Sequence, residues 1–316
     1  MAYTRLTVFL SVSIDCECDK GPGWRSQRPL AFEGVREGIL RRLAPLFARY
    51  GAKATYLLSP EVIRDEASAE ALRELAADGE AELGAHLHGE FAEPGAFEPD
   101  VTTAFQRDYP PDVERAKLAY LTDLFAAAFG RKPTSFRAGR FGIGTESLGI
   151  LEDLGYRVES SVTPHMDWSR SGAPGLSFVG APTQPYHPDP RDPTRPGKSR
   201  LLEVPVTIRP RAVNRLPLVG KRIDPRWLRP TRGSGAALVG LAREEIAAAR
   251  ARDPRRPVAL NAMFHNVEIL PGASPYAATE REAAAILSRL EALLAFAQRE
   301  GIAVVGLTEL ATHFDA

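Results

Sequence analysis

Asp15 and Glu17 are separated by one residue, and so are His86 and His88. Side chains of an extended chain alternate between faces, so each of these pairs points one way. Two imidazoles and a carboxylate that leave room for water form the ligand set of a catalytic rather than a structural zinc-type site. Further along, Arg137 and Arg140 stand in Phe136-Arg-Ala-Gly-Arg-Phe141, His165 follows Ser160-Ser-Val-Thr-Pro164, and His265 sits in Phe264-His-Asn266. Four of the six histidines therefore fall just past β-rich runs. A lone His-x-His, or an acidic pair after a strand, also arises as a turn or a cap. Several such motifs at the same ends of successive strands favour chemistry over capping.

Strand and helix signals alternate along the whole chain. The spacing of apolar and breaker residues predicts strands at Thr7–Ile14, Ala54–Leu58, Ala81–His86, Thr134–Ala138, Tyr156–Ser161, Leu201–Ile208, Val258–Phe264 and Ile302–Val305. Between them, helices are predicted from about Phe32 to Tyr50 and over Ser68–Ala77, Asp112–Phe129, Thr145–Leu154, Ala236–Arg250 and Ala277–Arg299. Glycines 51, 130, 155 and 301 stop four of these helices. Such alternation implies parallel pairing with right-handed crossovers, and a closed or partly closed (β/α)7–8 barrel fits the strand number better than an open sheet. In a parallel barrel the strand ends meet at one rim, where such enzymes keep their sites.

A chain of 316 residues with 44% apolar and 25% charged residues can bury a real core, which excludes disorder throughout. Forty basic residues balance forty acidic ones, so global charge gives no reason to expect a nucleic acid partner. No stretch reaches the roughly 18 apolar residues of a membrane span, so the protein is not expected to be an integral membrane protein. Cys16 and Cys18 are too close for a useful disulfide, and the run Leu6–Ile14 passes into Asp15 without a cleavage site; both suit a cytoplasmic protein. A single domain over residues 1–316 is expected. Residues 171–232 form a Pro-rich insertion or lid within it, with 12 of the 26 prolines. From Arg191 to Arg232, twelve Lys or Arg face three Asp or Glu, which suits either a solvated loop or a rim that meets a phosphate.

With these elements in place, the chain resembles the polysaccharide deacetylase family, the NodB-homology or carbohydrate esterase family 4 barrel. Ser13-Ile-Asp-Cys-Glu17 resembles its first acidic strand end, Tyr50–Tyr56 its next strand, and Gly79–His88 the run into its metal histidines. Phe136–Gly142 is similar to its arginine motif, Phe264-His265 to the strand with its catalytic histidine, and Val304–Leu310 to its closing strand and helix. The resemblance covers most of the chain. It implies a divergent metal-dependent hydrolase acting on C–N bonds other than peptide bonds. Such an enzyme would remove an N-acetyl or N-formyl group from a carbohydrate, with Zn, or else Co, Ni or Fe, as the divalent metal.

On that resemblance Asp15 is the base, Glu17 the metal carboxylate, His86 and His88 the metal imidazoles, His265 the acid, and Arg137 the partner that keeps Asp15 ionised. Cys16 separates two acids that the family commonly has side by side, so Asp15 and Glu17 can exchange roles. Position 90 is Glu where a second histidine is usual, so Glu90 is either an oxygen ligand or a carboxylate that orients an imidazole. Cys16 is a further ligand candidate on the opposite face. Arg140, Phe141 (through its backbone N–H), His165, Asp167 and Trp168 are expected on the substrate side. A nucleotide- or lipid-phosphate-linked sugar suits a cytoplasmic enzyme with a basic segment. Two other readings are a non-sugar amide or cyclic imide as substrate, and an inactive barrel that only binds a glycan or a partner.

Overall fold

The structure, a computed structural model, describes residues 7–26, 28–95, 105–170, 172–211 and 225–314. Among these residues one large sheet holds eight strands: β1 (Val8–Cys16), β2 (Ala54–Leu58), β3 (Ala81–Leu87), β4 (Ser135–Ala138), β5 (Val158–Glu159), β6 (Leu202–Glu203), β7 (Val258–His265) and β8 (Ala303–Val304). The order is β7-β1-β2-β3-β4-β5-β6, and every pairing is parallel. β8 pairs with the early part of β1, at Phe9 and Leu10, before β2 takes over the same edge from Ser13.

Helices fill the crossovers. A segment wound with the wide π pitch, Gly34–Leu43, runs on into α1 (Ala44–Arg49). It is followed by α2 (Pro60–Arg64), α3 (Glu66–Leu75), α4 (Pro111–Phe129), α5 (Thr145–Leu154), α6 (Gly235–Arg252), α7 (Glu280–Glu300) and α8 (Leu307–Ala311). The curled sheet with outer helices is the expected (β/α) barrel. Its seam lies between β6 and β7, where no ladder forms. Hydrogen bonds of Asn261 bridge the gap: its carbonyl accepts the Thr207 N–H at 2.9 Å, its N–H donates to Thr207 Oγ1 at 2.8 Å, and its Nδ2 donates to the Val204 carbonyl at 3.1 Å.

Residue parity decides what lines the interior. Val8, Leu10, Val12, Ile14 and Cys16 of β1 join the apolar layer under the helices. The alternate residues face inward, because Ser13 touches Arg137 and Asn261 from strands that β1 reaches only across the barrel or on the side of its neighbour β7. The floor is apolar: Phe9, Leu57, Val158, Leu202, Val204 and Ala259 pack on Leu307, Leu310 and Phe314 of the α8 region. Thr55 and Glu82 add polar contacts to this floor, accepting from the Leu307 and Thr308 N–H groups at 2.9 and 3.0 Å.

Most elements match the expected ones within two or three residues. Two differ in a way that matters. β1 continues through Asp15 to Cys16, so Asp15 is held by ladder hydrogen bonds rather than hanging from a loop. The Leu201–Ile208 run forms the two-residue β6, and its last residue, Ile208, joins Arg209 in a separate short antiparallel pair with Arg226–Trp227. Residues 172–211 contribute buried Leu176, Phe178, Leu201 and Val206 to the core, and a two-stranded hairpin at Pro188–Asp189 and Asp192–Pro196.

Gly84 shows how tightly the interior closes beneath the rim. A Cβ there would lie 2.3 Å from Ser135 Oγ and 2.7 Å from Leu57 Cδ2. Gly84→Ala is expected to cost about 1–3 kcal/mol in urea unfolding, as overpacking does. Gly149→Ala on the open face of α5, with nothing within 4 Å, should instead be neutral or slightly stabilising. Equal effects at the two sites would show that the barrel interior has slack.

Candidate active site

β1 and β7 pair in register from Val8–Val258 to Asp15–His265, so Asp15 and His265 are neighbours at the end of the ladder. β3 and β4 place His86 beside Arg137 in the same way. Glu17 lies one residue beyond β1 and is kept in line by the Asn266 side chain. That amide accepts the Glu17 N–H at 2.9 Å and donates to the Glu17 carbonyl at 3.0 Å. Gly34 allows the neighbouring helix to approach, since a Cβ there would sit 2.9 Å from Asn266 Nδ2.

Glu17, His86 and His88 are buried, and each offers one ligand atom within 4.8 Å of the others. Glu17 Oε1 lies 2.9 Å from His88 Nε2 and 3.4 Å from His86 Nε2, and the two Nε2 atoms are 3.1 Å apart. His86 Nδ1 donates to the Arg137 carbonyl at 3.0 Å, and His88 Nδ1 donates to Glu90 Oε1 at 3.2 Å. A carbonyl and a carboxylate can only accept, so each Nδ1 carries a proton and Nε2 is the nitrogen turned toward Glu17. Two Nε2 atoms and a carboxylate oxygen converging on one point call for positive charge there. Burial would lower the His88 pKa, but Glu17 and Glu90 outweigh it and lift the ring to about 9. A divalent cation meets the same demand with the donors that zinc prefers, so the residues fit the expected metal.

The carboxylates that would meet such a cation are ionised. Burial opposes the charge on Glu17, yet Lys20, His88 and His86 hold its pKa well below the usual carboxylate range. Glu90 is pushed down by His88 and Arg140 against a similar burial penalty. Glu90 thus touches the far nitrogen of His88, which places it behind the ring rather than among the converging atoms. Cys16 points into the apolar layer, as parity requires. Burial, with Asp15 and Glu17 nearby, pushes its thiol pKa well up, so it is no thiolate ligand.

Asp15 and His265 flank the triad. The fully buried Arg137 donates from Nη1 to Asp15 Oδ1 at 2.7 Å. Burial alone would raise the Asp15 pKa; Arg137, His86 and His265 more than offset it and hold the carboxyl below its ordinary value. His265 Nε2 lies 3.9 Å from Asp15 Oδ2 and 3.8 Å from Glu17 Oε1. Its Nδ1 meets Glu268 Oε1 at 2.7 Å. Glu268 also accepts from Arg229 Nη2 and Thr231 Oγ1. Burial opposes ionisation of Glu268, but Arg229 and His265 bring its pKa down to about 2.

Aromatic rings border this centre. Phe141 stacks on Trp168 at 5.8 Å, packs against Trp227 at 5.7 Å and lies 5.9 Å from the Arg137 guanidinium. Opposite, Trp24 meets His265 edge-on at 4.9 Å. Among the expected substrate-side residues, Phe141 and Trp168 are therefore brought to the centre. Arg140 reaches Glu90 Oε1 at 3.0 Å. His165 is half-buried, its N–H donates to the Phe178 carbonyl at 3.2 Å, and burial lowers its pKa, opposed by the charge of Glu245. Asp167 is exposed and accepts from the Ser169 N–H and hydroxyl in a local turn.

Lys20, Trp24, Trp227, Arg229, Asn266 and Glu268 were not among the expected residues. Asn266 and Glu268 carried a signal, because they follow His265 at offsets of one and three in a short 3₁₀ turn (Asn266–Ile269). Arg229 and Trp227 come from the Pro-rich stretch, whose pattern gives no register. The basic segment is also less free than its composition suggests. Arg195 pairs with Asp192, Arg200 with Glu152, Arg209 with Glu245, Arg226 with Glu244 and Arg229 with Glu268. Its residues 212–224 lie outside the described part.

No protein-family model matches the sequence, and no curated protein does. Solved structures do. A Mycobacterium smegmatis protein assigned as a polysaccharide deacetylase aligns at TM-score 0.53 and 16% identity, over 99% of this chain and 92% of that one. A Parabacteroides distasonis protein assigned as a glycoside hydrolase/deacetylase gives TM-score 0.65 and 13% identity, over 98% and 71%. The Puue allantoinase gives 0.58 and 15%, over 99% and 91%. The chain thus has the barrel of the NodB-like deacetylases, the fold that its motifs resemble.

The Glu268 pair gives a pH dependence. Its folded pKa of about 2 lies below the unfolded value, so its contribution is full above about pH 4.5 and is lost as pH falls toward 2. For a shift of this size the contribution is on the order of 3 kcal/mol. Glu268→Gln should remove that acid-side dependence from stability measured between about pH 5 and 2. An unchanged slope would place the acid sensitivity elsewhere.

Proposed function

We propose that the protein is a metal-dependent amide hydrolase that removes an N-acyl group, acetyl or formyl, from a carbohydrate. The observation that carries this reading is the convergence of Glu17 Oε1, His86 Nε2 and His88 Nε2 beside Asp15 and His265. Glu17, His86 and His88 would hold the cation, with Zn favoured by the donors over Co, Ni or Fe. A divalent cation there supplies Lewis-acid polarisation of the acyl oxygen and acidifies water.

The chain's own residues supply the proton transfers. Asp15, ionised by its pairing with Arg137, takes a proton as water adds to the acyl carbon. As the C–N bond breaks, His265 gives a proton from Nε2 to the departing nitrogen. Glu268 on Nδ1 fixes the ring so that Nε2 faces Asp15 and Glu17. The balance is one water consumed, one carboxylic acid and one amine released. The Phe141 backbone N–H is assigned to the oxyanion, and the Phe141, Trp168 and Trp227 rings give a sugar an apolar face. Asp167 and Arg140 have less support as substrate contacts, given the partners they already have; His165 is kept as a proposed substrate-side residue.

A phosphate-linked sugar has weaker support than a plain N-acyl sugar, since most described arginines of the basic segment are paired with acids. A cytoplasmic location is supported by two buried free thiols. No helix among the described residues is long and apolar enough to cross a membrane. A second reading keeps the chemistry and changes the substrate to a non-sugar or cyclic amide; the likeness to an allantoinase barrel favours testing it.

The test is hydrolysis of N-acetyl sugars against ring-opening of cyclic amides, before and after chelation. Release of acetate that chelator abolishes and Zn²⁺ or Co²⁺ restores is the expected result. No turnover with any substrate in the metal-loaded protein would favour a barrel that only binds. His265→Ala and Asp15→Asn should keep the metal while turnover falls by about 10² to 10⁴. Glu17→Gln should lose the metal; retention there with loss in Asp15→Asn would exchange the two acids.

A further inference from the structure

Lys20 is buried on the outer side of the Glu17 carboxylate, only 5% exposed. Its Nζ lies 3.1 Å from Glu17 Oε2, on the oxygen that does not face the histidines. The ammonium is fixed from other directions too, with Ser26 Oγ at 3.3 Å, Cys18 Sγ at 3.9 Å and the Phe91 ring centroid at 5.9 Å. The backbone pins it as well: the Lys20 N–H donates to the Ala273 carbonyl at 2.9 Å, and the Arg25 N–H donates to the Lys20 carbonyl at 3.0 Å. An ordinary lysine would trail its head into water; this one spends its burial on a single carboxylate oxygen.

The consequence follows from the geometry of a carboxylate. Glu17 has two oxygens, one turned to His86 and His88 and the other engaged by a fixed positive charge. We infer that Lys20 is a positioning residue that restricts Glu17 to one-oxygen coordination and tempers the site's hold on its cation, a role that rests on Glu17, His86 and His88 being the metal ligands. A cation bound there meets a carboxylate already partly neutralised, and it is repelled by an ammonium one carboxylate away. The tempered ligand set would leave more charge on a bound cation, at the expense of affinity.

The experiment is metal affinity by chelator competition, with Zn²⁺ and Co²⁺ as probes, on wild type, Lys20→Met, Lys20→Gln and Lys20→Arg. Lys20→Met and Lys20→Gln should bind at least tenfold more tightly. Their Co²⁺ visible absorption should weaken as Glu17 uses its second oxygen. Lys20→Arg keeps the charge and should stay close to wild type in both readouts. Equal or weaker binding in a folded Lys20→Met or Lys20→Gln protein would overturn the inference. Lys20→Gln keeps a polar head in the pocket, so it carries the test if Lys20→Met does not fold. A different outcome, no stoichiometric metal in wild type, would instead overturn the metal reading itself.

Discussion

The Arg137 guanidinium at the centre of the barrel is the interaction on which the rest depends. It is completely buried and makes four hydrogen bonds: Nε to the Ser160 carbonyl, Nη1 to Asp15, and Nη2 to both Ser13 and Ser160 hydroxyls. A buried guanidinium is costly unless its donors and charge are matched, and breaking such a pair from one side costs about 3–5 kcal/mol. Matching it ties β1, β4 and β5 together through the interior. It also hands Arg137's backbone carbonyl to His86, which sets that ring's tautomer. One residue thereby orders both the carboxylate proposed as base and an imidazole proposed as metal ligand.

From that centre the charges alternate outward along two lines. One runs Arg137, Asp15, His265, Glu268, Arg229; the other runs Lys20, Glu17, the two imidazoles, Glu90, Arg140. Along these lines four carboxylates face four permanent cations. Each imidazole has a carboxylate or carbonyl behind it, which leaves the working nitrogens pointed at the space between Asp15 and Glu17. The Phe141, Trp168 and Trp227 rings narrow the approach from one side.

The Pro-rich stretch takes part in this order rather than lying over it. Arg229 reaches Glu268, and Thr231 joins the same carboxylate. Leu201, Val204 and Val206 fill the barrel, while Thr207 bridges its seam. The positive charge that composition assigns to the segment is largely consumed by Glu152, Glu244, Glu245 and Glu268, which are distant in sequence.

Local pattern alone determined the order of strands and helices, because hydrophobic periodicity and glycine stops are properties of neighbouring residues. It also determined that Asp15 and Glu17, like His86 and His88, share a face, since alternation in an extended chain needs no tertiary contact. What tertiary structure decided is which partner each group receives. Cys16 interrupts the acidic pair in sequence, yet the extra residue of β1 and the Asn266 amide carry Glu17 to the histidines while Asp15 stays on Arg137. Glu90 stands where a second ligand is usual, but the 3₁₀ turn at Gly89–Phe91 puts it behind His88. Arg229 was invisible beside these groups because its contact with Glu268 spans the fold, and such Coulomb contacts leave no period in the chain.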